Sequence, residues 1–99
     1  MDAGFLDAVT KMLNEFTLNK PSQVMELIGP AKQGLSYRWR LMSNRYREVT
    51  VLLVTKKPFF GKPAPERFEV YGLGSTQALG PTLEELQTYL GKSELALAG

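Results

Sequence analysis

The chain has 99 residues, and none of them is cysteine or histidine. Without cysteine there can be no disulfide scaffold, thiol nucleophile or cysteine-ligated zinc or iron–sulfur centre, which accords with an intracellular setting, cytoplasmic or nuclear. Without histidine no Ser-His-Asp or Cys-His nucleophile can be assembled, and the commonest transition-metal ligand is missing. Long apolar runs are absent too. Val51-Leu52-Leu53-Val54 falls far short of the ~20 residues of a membrane span. The start, Met1-Asp2-Ala3-Gly4, has no basic leader. These absences predict a soluble chain that is no enzyme, with no catalytic residues, no metal, no other cofactor and no membrane partner.

What is present suits one small core. With 43% hydrophobic and 22% charged residues, the chain is expected to form a single domain over 1–99. A chain of this size buries roughly 60 to 65% of its unfolded surface. Its net charge of +2 conceals an uneven distribution. Residues 1–34 carry three lysines against four carboxylates, and residues 68–99 one lysine against four. The block 35–67 carries eight cations against two carboxylates, a net +6. A basic centre between acidic flanks attracts an anionic partner, RNA or an acidic protein surface.

Hydrophobic spacing predicts an amphipathic helix within residues 1–20, with Phe5, Leu6, Val9, Met12, Leu13 and Phe16 on one stripe. A short second helix is expected from Ser22 to Ile28, stopped by Gly29-Pro30. The period then changes to two. Leu35, Tyr37, Trp39 and Leu41 alternate with Ser36, Arg38, Arg40 and Met42, and Val49, Val51 and Leu53 with Glu48, Thr50 and Leu52, predicting two strands joined through Ser43-Asn44-Arg45. Arg67–Tyr71 reads as a third strand, and Thr82 with Glu85 as a capping box that starts a helix ended by Gly91. The expected fold is therefore α+β: a three-stranded antiparallel sheet with helices packed on one face, in the order α-α-β-β-β-α. Residues 21–91 form its αβββα core, and 92–99 a frayed tail.

Between the second and third strands, residues 56–66 hold three prolines, and Lys56, Lys57, Lys62 and Arg67 surround Phe59 and Phe60. Cations beside aromatics can contact phosphates while a ring stacks on a base. Equally, two exposed rings on a proline-stiffened loop can anchor a protein partner. In a third arrangement both phenylalanines fold back into the core. Arg38, Arg40, Arg47 and Arg67 are expected to pair with Glu48 and Glu69 across the sheet.

Three short motifs add a resemblance. Pro21-Ser-Gln-Val-Met-Glu-Leu, then Gly34-Leu-Ser-Tyr-Arg-Trp, then Gly72-Leu-Gly-Ser-Thr-Gln resemble the double-stranded-RNA-binding domain. That family folds as α-β-β-β-α and reads duplex shape through phosphates and 2′-hydroxyls. The resemblance implies RNA contacts at Gln23 and Glu26, at Asn44 and Arg45, and at Ser75, Thr76 and Gln77. The chain departs from the family where paired lysines normally follow the glycine-serine. Thr76 and Gln77 stand there, and Glu84-Glu85 opens the last helix. This is the pattern of a degenerate copy, and such copies serve as protein-interaction or dimerisation domains, so an adaptor, inhibitor or homodimer without nucleic-acid binding is the alternative expectation. A looser resemblance, to the phosphotyrosine-binding Src-homology module, rests on Phe68-Glu-Val-Tyr-Gly and Pro81-Thr-Leu-Glu-Glu-Leu. The arginine-bearing strand motif of that family is absent.

Overall fold

The computed structural model describes residues 2–19, 26–43 and 47–93. The fold is α+β, with two helices and a five-stranded antiparallel sheet. Helix α1 (Ala3–Asn19) is followed by β1 (Glu26–Gln33), β2 (Ser36–Ser43), β3 (Arg47–Lys56), β4 (Ala64–Tyr71), β5 (Gln77–Leu79) and helix α2 (Leu83–Lys92). The strands lie side by side in chain order, a meander.

Alternation within the strands separates the two faces. Register aligns Leu41 with Val49, Trp39 with Val51 and Val70, and Leu53 with Phe68, so all seven side chains share one face. All are buried, together with Val9, Met12 and Leu13 of α1 and Leu86 and Leu90 of α2. The helices thus cover one face of the sheet, as expected. Trp39 locks this packing: its indole N–H donates to Thr10 Oγ1 at 2.8 Å, and the Thr10 hydroxyl donates to the Leu6 carbonyl at 2.9 Å. The large ring therefore enters the core without an orphaned donor. Asp2 starts α1 by accepting the Gly4 N–H on Oδ1 at 2.9 Å. Thr82 caps α2 by accepting the Glu85 N–H at 3.2 Å, and its hydroxyl donates to Glu85 Oε1 at 2.9 Å. That helix runs to Lys92, one residue past Gly91, and Ser93 caps it.

Three expectations need correction. The sheet has five strands, and the reading of three missed both edges. The helix expected over 22–28 is not formed where the chain is described: Glu26, Leu27 and Ile28 open β1, while 21–25 lie outside the described residues. The physical reason is pairing with β2, which a bulge conceals in the sequence. One extra residue sits between the Ile28–Arg40 and Ala31–Arg38 pairs, and Gly29 fills it at φ +127°, where a Cβ would come within 2.6 Å of the Arg38 carbonyl oxygen. Pro30 has no N–H to give and is tolerated because β1 is an edge. The Gly29-Pro30 pair therefore kinks an edge strand and does not stop a helix. Third, Leu35 is not part of the core stripe. It lies in the Gly34–Leu35 turn, 46% exposed, and its carbonyl accepts from the backbone N–H of Thr55 at 3.2 Å and from its hydroxyl.

Candidate binding surface

The meander sorts the connections to two ends of the sheet. The Gly34–Leu35 turn and the β3–β4 loop lie at one end, which we call the near end; the strand ends at Ser43, Arg47, Tyr71 and Gln77 lie at the other. β3 alone has ten residues, so the ends are about 30 Å apart at ~3.3 Å per residue.

The near end carries the loop singled out in the sequence. It is shorter than expected, because Ala64 and Pro65 already pair with Lys56 and Thr55. Within it Phe59 and Phe60 are 93% and 83% exposed. The arrangement that folds both rings into the core is thereby overturned. The two rings pack against one another edge to face, with centroids 4.7 Å apart and planes at 84°. Gly61, at φ +94° with open space around it, turns the chain back beyond them. Lys56, Lys57 and Lys62 are exposed on either side, and none makes an ion pair with a described residue. Behind the loop lies a cleft of about 420 Å³, lined by Asp2, Phe5, Lys62, Pro63, Ala64 and Pro65. Composition gave no signal for that cleft, because Phe5 reads as part of the helix stripe.

The other expected contacts are scattered. Glu26 is exposed at the start of β1, Ser75 and Thr76 are exposed before β5, and Gln77 opens that strand, all at the far end. Gln23, Asn44 and Arg45 lie outside the described residues. Arg67 is engaged by two carboxylates, Glu66 at 3.0 Å and Glu69 at 2.6 Å.

Arg67 and its partners belong to the face of the sheet that the helices leave uncovered. Across it runs a row of Ala31, Arg38, Leu52, Glu69 and Ala78, one residue from each strand. Glu69 accepts from the Tyr71 hydroxyl and from Arg67, and those bonds, the tyrosine's foremost, hold its carboxyl below the usual glutamate range against the opposing effect of burial. The same hydrogen bonds push the Tyr71 phenol and the Arg67 guanidinium up. Arg40 pairs with Glu48. The expected cross-strand pairing is thus observed for Arg40 with Glu48, whereas Arg67 pairs with carboxylates of its own strand β4; both pairings neutralise part of the basic centre. With both carboxylates engaged, Arg38 lies between Ala31 and Leu52 with its Nε buried and unpartnered.

Among the described residues no group of three or more Asp, Glu, Cys or His side chains could hold a metal, and no helix is long and apolar enough to cross a membrane. No family model, no curated protein and no solved structure matches the chain.

Proposed function

We propose that this chain is a non-catalytic binding module that docks on an anionic partner through its basic centre, with the Lys56–Pro63 loop as the working element. The observation that carries this reading is the exposure of Phe59 and Phe60 between three lysines that pair with no described residue. Soluble domains rarely leave two adjacent large apolar side chains bare unless something covers them in use. The loop carries no carboxylate, so its cations are not cancelled as those of the sheet are.

The contacts implied by the likeness to double-stranded-RNA-binding domains support the reading less well. Glu26, Ser75, Thr76 and Gln77 stand about 30 Å from the loop and bring no cation of their own. Single-stranded RNA stacks its bases in parallel, and rings set at 84° cannot extend such a stack together. The test is retention of the protein on a heparin column. Wild type is expected to elute well after the Lys56→Glu/Lys57→Glu/Lys62→Glu variant, and equal elution overturns the assignment to this loop.

A second reading, a dimerisation or protein-interaction domain that binds no nucleic acid, is favoured by the uncovered sheet face with its unpartnered Arg38 Nε. It predicts a concentration-dependent mass in sedimentation equilibrium that Leu52→Glu abolishes. A monomer at all concentrations removes the dimer.

A further inference from the structure

The loop is layered. Its middle, Pro58-Phe59-Phe60-Gly61, holds no polar side chain, and Lys57 and Lys62 stand on the two sides of it, with Lys56 at the end of β3. Of the carboxylates around the loop, Glu66 pairs with Arg67, and Asp2, which lines the cleft with Lys62, accepts the Gly4 N–H at the start of α1. The rings stand out into solvent, and neither lines the cleft between Lys62–Pro65 and Phe5.

From this arrangement we infer that the loop docks on the surface of an anionic phospholipid bilayer, with Phe59 and Phe60 entering the acyl boundary and Lys56, Lys57 and Lys62 meeting the headgroup phosphates. The inference rests on reading the loop as the anion-directed element and names its partner. An anionic leaflet has the same two layers in the same order, phosphates outside and hydrocarbon within. Lipid closes around any convex apolar tip, so it needs neither a matching cavity nor hydrogen bonds from a tip that offers no polar side chain. A protein partner needs such a cavity, and a nucleic acid needs a stackable ring face. Two proline nitrogens of the loop, at Pro58 and Pro63, reduce the backbone donors that must leave water. The expectation of no membrane partner rested on the lack of a spanning segment; surface attachment requires none, and the proposed docking replaces that expectation. Two phenylalanines and three lysines give a reversible attachment of the strength of a single weak anchor.

The experiment is co-sedimentation of the whole chain with vesicles of phosphatidylcholine alone, or with about a third of the lipid replaced by phosphatidylserine. Wild type is expected in the pellet with the anionic vesicles only. Phe59→Ala/Phe60→Ala, at positions too exposed to affect folding, is expected to weaken binding at least about tenfold. Each lysine changed to alanine is expected to weaken it about fivefold. A second readout is Phe60→Trp: its emission, red-shifted in water, moves blue with anionic vesicles, while Trp39 is buried throughout. Wild type that ignores the vesicles, a phenylalanine variant that binds as wild type, or tighter phenylalanine-dependent binding to single-stranded RNA overturns the inference. If vesicle binding fails while lysine-dependent retention on heparin persists, only the lipid assignment falls. Loss of both removes the proposed function as well.

Discussion

Thr10 and Glu69 each hold a polar arrangement whose energetics can be measured. The Trp39 indole N–H is satisfied by Thr10 Oγ1 alone, deep beside α1. Thr10→Val keeps the shape and orphans that donor, and is expected to destabilise the protein by about 1–3 kcal/mol, seen as a lower urea midpoint at unchanged m-value. Glu69 is a partly exposed carboxylate, so its effect is argued only by direction. Its folded-state pKa is lowered, chiefly by the Tyr71 hydroxyl and next by Arg67. Below the unfolded glutamate pKa of roughly 4.3 the unfolded state therefore binds the proton more readily. The stability contributed by Glu69 is fully present above that pH and is lost as pH falls through the folded-state value. Urea titrations from neutrality down through that window should show a flatter acid limb for Glu69→Gln than for wild type. An identical limb would mean that the two hydrogen bonds do not persist in solution.

Among the elements, β1 is the one whose character the sequence concealed. Its apolar residues, Leu27 and Ile28, stand three and four positions after Val24, which is helical spacing, and the bulge at Gly29 erases the alternation that marks the other strands. What makes β1 a strand is β2 alongside it, a non-local partner that no window of residues contains. Gly29→Ala tests this directly. A Cβ forced against the Arg38 carbonyl at positive φ should cost at least about 2 kcal/mol, read from the denaturation midpoint, whereas a helix there would gain from the change. Three-residue β5 is too short to alternate at all. By contrast α1, β2, β3 and α2 were legible because each carries its own period or cap: the Phe5–Leu13 stripe, Tyr37-Trp39-Leu41, Val49-Val51-Leu53, and Thr82 with Glu85. The Lys56–Pro63 loop was legible in composition and not in disposition. Three lysines around two phenylalanines could be read from the chain, but the exposure of those rings depends on where β3 and β4 end.

At the scale of the whole molecule, charge and apolar surface are divided between two ends. The lysines and bare rings of the loop, the lysines unpaired among the described residues, stand at one, Glu26, Ser75 and Thr76 at the other, about 30 Å away. The Debye length is about 8 Å at physiological ionic strength, so charges at the far end scarcely reach a surface that touches the near one. The proposed docking is therefore expected through the near end, and adding charge tests it. Thr76→Lys/Gln77→Lys supplies the cations that a double-stranded-RNA-binding domain normally has after its glycine-serine, and Ala64→Lys places one cation at the exposed base of the loop, opposite Lys56. If the loop end meets an anionic bilayer, the single Ala64→Lys change should strengthen vesicle binding about fivefold, while the two distant lysines should leave it within about twofold of wild type. The reverse order of effects in the same pelleting assay would mean that the far end faces the partner.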